Sequence, residues 1–136
     1  MILKLELCIK PTPHQSVRVT RTGHTYQPKK INDYKDEVRR LVREQLPSGF
    51  SAIKADTPIF VTKLHYVFEY LKSFSKAKRD SVTFRVTKPD LHDNLNKALF
   101  DALEGVVWER DQNVVGMDNV RKYYGPEDKI LIEIQC

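Results

Sequence analysis

The chain has 136 residues, 40% of them hydrophobic and 30% charged, with a formal net charge of +5 at pH 7. That length accommodates one two-layer core and no second one, so a single domain over residues 1–136 is expected. The composition is that of an ordinary globular protein with no low-complexity tract, repeat or bilayer-spanning run, which excludes fibrous, disordered and membrane-embedded classes.

Leu3, Leu5, Leu7 and Ile9 alternate with Lys4, Glu6 and Cys8 at the period of a half-buried strand, and Pro11 and Pro13 end it. The same alternation argues against a signal peptide, so a cytoplasmic protein is expected. Cys8 and Cys136 stand at opposite ends without CxxC spacing and read as free thiols. From Thr12 to Lys30 neither periodicity holds, which predicts a long basic loop or loose hairpin. Ile31, Tyr34, Val38, Leu41, Val42 and Leu46 then fall at helical spacing, closed by Pro47 and Gly49. Lys35, Arg39 and Arg43 form a stripe that reads as a solvated face or, alternatively, a track for a phosphate backbone.

Ile59 to Tyr70 predicts a long central strand, and Val82 to Lys88 a shorter one stopped by Pro89. Asp93 opens an amphipathic helix whose apolar face is Leu95, Ala98, Leu99, Ala102 and Leu103, with Gly105 as its C-terminal cap. Two strands follow, around Val114 to Tyr124 and Lys129 to Ile134, joined at Gly125-Pro126-Glu127-Asp128. The order β-α-β-β-α-β-β predicts an α+β domain with two main helices on one mixed or antiparallel sheet.

Charge is unevenly distributed. No acidic residue lies between Glu6 and Asp33, a gap holding Lys10, Arg18, Arg21, Lys29 and Lys30. A second basic run holds Lys72, Lys76, Lys78, Arg79, Arg85 and Lys88. From 90 to 118 the balance inverts, with Asp90, Asp93, Asp101, Glu104, Glu109, Asp111 and Asp118 against only Lys97 and Arg110. Solvated surface charge explains any one run. Together they read as phosphate-binding walls around a metal-binding floor.

The chemistry concentrates between Lys88 and Val115. Asp90 at a strand end, Asp93 at a helix start and Asp111 on the returning chain are three carboxylates that could converge. Mg²⁺ takes oxygen ligands of this kind together with substrate phosphate oxygens. So placed, it would lower the pKa of a water and neutralise charge on the phosphate, the requirements of a phosphodiesterase. Lys97 lies four residues after Asp93 and four before Asp101, as a rung of an exposed salt-bridge ladder or as an ammonium beside the metal. Asp93 is equally suited to an N-cap, and the two roles are compatible.

His14, His24 and His65 lack HxH or HExxH spacing and read as structural residues or loop donors. Trp108, Phe60, Tyr66, Phe68 and Tyr70 are expected in the core. Arg18, Arg21, Lys29, Lys30, Lys76, Lys78, Arg79 and Lys88 are the cations expected to touch a phosphate backbone.

Three stretches carry a family resemblance: Asp93-Asn94-Leu95 with Lys97, then Phe100-Asp101-Ala102-Leu103, then Trp108 followed by Asp111 and Val114. Arg18-Val19-Thr20-Arg21, Gly23-His24-Thr25-Tyr26 and Pro28-Lys29-Lys30 add a weaker echo. In these the chain resembles the RusA family of phage-associated Holliday junction resolvases. The resemblance implies a homodimer with one acidic site per subunit and no organic cofactor. Its metal would be Mg²⁺, or Mn²⁺ in its place, and its substrate four-way branched DNA in recombination and repair. The junction would be resolved by paired symmetrical nicks that leave ligatable 5′-phosphate and 3′-hydroxyl ends. Carried over, Asp90, Asp93 and Asp111 are the metal ligands and Lys97 the catalytic lysine.

The family shows Asp-x-Asp-Asn where this chain reads Asp90-Leu91-His92-Asp93-Asn94, one residue longer. A bulge at the strand end would restore Asp90, the favoured reading. Otherwise His92 substitutes as ligand and shifts preference toward Mn²⁺, or the site has lapsed. The rival readings are a non-catalytic branched-DNA-binding protein, whose binding would need no divalent metal, and a metal-dependent nuclease acting on flap or RNA substrates.

Overall fold

Alternation sets the sheet. In β1 (Ile2–Leu7) Leu3, Leu5 and Leu7 are buried while their neighbours are exposed. β1 pairs antiparallel with the last strand, Lys129–Gln135, whose Ile130, Ile132 and Ile134 are buried in register with Leu7, Leu5 and Leu3. Each such side chain contributes about 1.5–3 kcal/mol on leaving water. In a computed structural model residues 1–14, 18–26 and 28–136 are described, with the side chain of Arg18 outside that set. The elements in chain order are β1, the short hairpin β2 (Arg18–Val19) and β3 (Thr25–Tyr26), α1 (Lys29–Gln45), β4 (Ile59–Glu69), α2 (Lys76–Arg79), α3 (Lys97–Leu103), β5 (Val114–Met117), β6 (Val120–Gly125) and β7 (Lys129–Gln135).

The central strand is β4, eleven residues long. One edge pairs antiparallel with β7. The other pairs parallel with β5 along its first residues and with β6 from Leu64 to Glu69. The sheet is therefore mixed, in the order β1-β7-β4-β5 with β6 continuing along β4. The single strand expected from Val114 to Tyr124 is broken at Asp118-Asn119, where Asn119 has φ of 53°. That left-handed conformation suits Asn, and its Oδ1 lies 3.0 Å from His65 Nε2, which pins the break to β4. His65 Nδ1 meets Tyr123 Oη at 2.9 Å, so this histidine is structural, as expected.

α1 buries Ile31, Tyr34, Val38 and Val42, and α3 with the turn before it buries Leu95, Ala98, Leu99, Ala102 and Leu103. These two apolar stripes share one hydrophobic core with the inward face of the sheet. The domain is α+β, as the order of elements predicts.

Three further expectations fail here. Val82 to Lys88 is not a strand: it makes one bridge, Phe84 to Tyr123, and Val82, Phe84 and Val86 are largely exposed because no layer covers them. Phe60 is 45% exposed on the open face of the sheet, where its ring lies over Gly116, while Tyr66, Phe68 and Trp108 are buried as expected. Lys35 and Arg39 are neither a solvated stripe nor a backbone track. Lys35 lies 3.6 Å from Asp101, and Arg39 Nε donates to the Ala102 carbonyl at 3.0 Å, so both tie α1 to α3.

Candidate active site

The stretch leading to Asp90 is irregular but firmly held. Arg85 donates from Nε and Nη2 to the Lys88 carbonyl at 3.0 and 2.8 Å. Lys122 Nζ donates to the carbonyls of Thr87 at 2.8 Å and Pro89 at 2.7 Å. These side chains add to two backbone bonds with β6, from the Arg85 amide to the Lys122 carbonyl at 3.1 Å and from the Tyr124 amide to the Thr83 carbonyl at 3.0 Å.

Leu91–Asn96 then forms a π-helical turn that runs straight into α3, with the Leu95 amide donating to the Asp90 carbonyl at 3.0 Å. A π turn holds one more residue than an α turn between the same flanks. Asp90-Leu91-His92-Asp93 thus leads into α3 through a widened helical turn, and the bulge expected at a strand end does not form because no strand precedes it. Leu95 anchors the turn in the core, and Tyr66 Oη, fully buried in β4, donates to Asn96 Oδ1 at 2.8 Å.

Asp90 caps this turn through its backbone and is exposed. Asp93 is exposed as well, with Oδ1 3.5 Å from His92 Nε2, and makes no side-chain cap. Lys97 begins α3 and reaches Asp101 Oδ2 at 3.8 Å, the i,i+4 rung anticipated from spacing. Lys35 reaches the same oxygen from α1.

Asp111 returns to the far end of α3. Gly105, with φ of 79°, turns the chain after Glu104, and its amide donates to the Trp108 carbonyl at 2.7 Å. Trp108 is buried edge-on against Phe100, with centroids 5.2 Å apart, which fixes the return path. The Asp111 amide then donates to Glu104 Oε1 at 2.9 Å. Burial holds the Asp111 carboxyl above its usual pKa, aided by the charge and hydrogen bond of Glu104 and by Asp101, against the opposing pull of Lys97. His14 lies over the same cluster, its amide donating to the Asn94 carbonyl at 2.9 Å. Its imidazole pKa is lowered by burial and by Lys97 and Lys35, with Asp101 opposing.

The structure thus brings together Asp111, Asp101, Glu104, Lys97, Lys35 and His14. Among the described residues no three Asp, Glu, His or Cys side chains are grouped closely enough to hold a metal, so Asp90 and Asp93 are not gathered with Asp111. A hard cation fits Asp111 in one respect: like charges crowd its carboxyl, and Glu104 stands beside it as a second oxygen donor. Glu104 and Asp101 were legible as potential partners, since Lys97, Asp101 and Glu104 share a helix face at i, i+4 and i+7. Lys35 and His14 carry no such local signal.

The candidate DNA contacts are exposed. Arg21, Lys29 and Lys30 flank the β2–β3 hairpin and the start of α1, and Lys76, Lys78, Arg79 and Lys88 surround α2 and the approach to Asp90. Ser75 caps α2 by accepting from the Lys78 amide, Lys78 Nζ lies 4.3 Å from the Phe74 ring, and Arg79 donates to the Phe74 and Leu71 carbonyls. The Arg18 side chain lies outside the described residues. No helix among the described residues is long and apolar enough to cross a membrane.

The protein is thus a small α+β domain whose mixed sheet is backed by two helices, with Lys97 paired to Asp101 near Glu104 and Asp111 and cationic loops around it. The family model for endodeoxyribonuclease RusA matches residues 9–135. The chain belongs to the RusA family, whose members are DNA endonucleases that resolve Holliday junctions. No curated protein matches the chain.

Proposed function

We propose that the protein is a divalent-metal-dependent resolvase that acts as a homodimer in the cytoplasm and nicks opposing strands of a four-way DNA junction, with no organic cofactor. The observation that carries this reading is the Glu104–Asp111 carboxylate pair set beside Lys97 in a chain of this family. Asp90, Asp93 and Asp111 are the carboxylates assigned to Mg²⁺, for which Mn²⁺ is a substitute. When bound, the cation supplies charge neutralisation at the scissile phosphate and a more acidic water. The chain's own groups do the rest. Lys97 places an ammonium against the negative charge that grows on the phosphorus oxygens, an interaction stronger in the transition state than in the ground state. Arg21, Lys29, Lys30, Lys76, Lys78, Arg79 and Lys88, with Arg18, hold the DNA backbone and read the shape of the junction.

The test is cleavage of a synthetic immobile junction in Mg²⁺ and in Mn²⁺, beside linear duplex, flap and RNA substrates and an Asp93→Asn control. Paired nicks confined to the junction and lost in the control support the reading. The rival reading is a branched-DNA-binding protein without catalysis. Tight metal-independent junction binding with no cutting would establish that rival instead.

A further inference from the structure

Lys35 is 14% exposed, and an ammonium withdrawn from most of its water is helped by a compensating charge. Among the described residues the carboxylate within ion-pair distance of it is Asp101, at 3.6 Å from Nζ to Oδ2. Lys97 Nζ approaches that same oxygen at 3.8 Å and is 54% exposed. One carboxylate thus serves two ammonium groups from different helices, one enclosed and one open. Its single charge cannot neutralise both. The enclosed lysine has less water to replace its partner, so the open one carries the uncompensated charge.

We infer that Lys35 is a positioning residue for Lys97, acting through the Oδ2 atom of Asp101 that the two lysines share. This rests on the assignment of Lys97 to the cleavage reaction. Lys35 holds Asp101 toward α1 and draws on its charge, which leaves Lys97 loosely tethered and free to extend from the start of α3. Without Lys35 the carboxylate turns wholly to Lys97 and retracts it against α3. The other groups facing Lys97 are His14 from the N-terminal segment and Asp111 from the returning chain. The imidazole is held toward its neutral form and offers Asp101 no replacement cation.

The experiment compares Lys35→Met, Lys35→Arg and Arg39→Ala with the unsubstituted protein. Arg39 supplies the other tie between α1 and α3, to the Ala102 carbonyl, without touching Asp101, and so reports simple loosening of the helix pair. The first measurement is the rate of acylation of Lys97 by an amine-reactive ester, read by peptide mass spectrometry, which needs no activity. The second is single-turnover junction cleavage. Lys35→Met is expected to slow Lys97 acylation and to lower the cleavage rate by about 10- to 100-fold, with junction affinity within about twofold. Lys35→Arg is expected to recover most of both, and Arg39→Ala to lower thermal stability while leaving Lys97 acylation unchanged. Unchanged acylation in Lys35→Met, or an equal change in Arg39→Ala, would overturn the inference. If the unsubstituted protein cuts no junction the functional reading fails, and Lys97 acylation still decides the coupling.

Discussion

Asp111→Asn separates the electrostatics of the site from its packing. Asparagine keeps the volume, and the backbone donor to Glu104 Oε1 is unaffected. What disappears is one negative charge that burial, Glu104 and Asp101 disfavour and Lys97 only partly offsets. Because the folded-state pKa of Asp111 is raised, its contribution is most favourable below the ordinary value of 3.8 and is lost as pH rises through the folded value. Without divalent metal the variant is therefore expected to match the parent in acid and to exceed it at neutral pH. Relief of repulsion at a partly exposed site is worth about 0.5 kcal/mol, or about 2 °C in Tm for a domain of this size. Added Mg²⁺ should reverse the order, because it stabilises by mass action only the protein that binds it. Junction cleavage should fall by about 100-fold or more, as for loss of a group acting on developing charge, with junction binding retained. Thermal melts from pH 3 to 8 with and without Mg²⁺, beside a cleavage assay, measure all of this. Equal melting of variant and parent at every pH, or undiminished Mg²⁺ stabilisation of the variant, would refute the placement of a cation at Asp111.

Tyr66→Phe strands the Asn96 Oδ1 that Tyr66 Oη now satisfies at 2.8 Å, and should cost about 1–3 kcal/mol in denaturant melts. Deleting His92 should turn the π turn into an α turn without moving Leu95 from the core, so the shortened protein is expected to melt within about 1 kcal/mol of the parent. Its unfolding would contradict the view that the extra residue is held only in the widened turn. Replacing Lys76, Lys78 and Arg79 together by Gln should reduce the slope of log affinity against log salt by about 2–3 while leaving single-turnover cleavage at saturation near that of the parent.

The legible parts of the fold are those in which one period persists. β1, α1, β4, β7 and the apolar face of α3 all follow from spacing, because each buries a complete face against the core. Val82 to Lys88 misleads for the same reason in reverse. Its alternation is real, but Val82, Phe84 and Val86 are exposed, and its pairing with β6 stops at one bridge, beyond which side-chain donors from Arg85 and Lys122 hold the backbone. Phe60 misleads because period alone does not say which face of a sheet is covered. In the site, Lys97 and Asp101 are readable as an i,i+4 pair, whereas Lys35 and His14 come from segments more than 60 residues before Asp101 along the chain and join it only through packing.

The additional residue between Asp90 and Asp93 shows how the two kinds of information meet. A count along the chain places the odd residue somewhere between the end of one element and the start of the next, and a strand-end bulge requires a strand. None forms there, since residues 82–88 lack a second pairing partner, and the backbone is instead fixed at Lys88 by Arg85 and at Thr87 and Pro89 by Lys122. With the upstream end so held and Leu95 buried downstream, the extra length has to appear between two fixed points. A π turn is the helical solution to that constraint, and it keeps Lys97 at the start of a regular helix where Asp101 can meet it. The widened turn thereby stays between Asp90 and Asn96, while Lys97 and Asp101 lie on the regular helix and Glu104 and Asp111 on the Trp108-anchored return behind it.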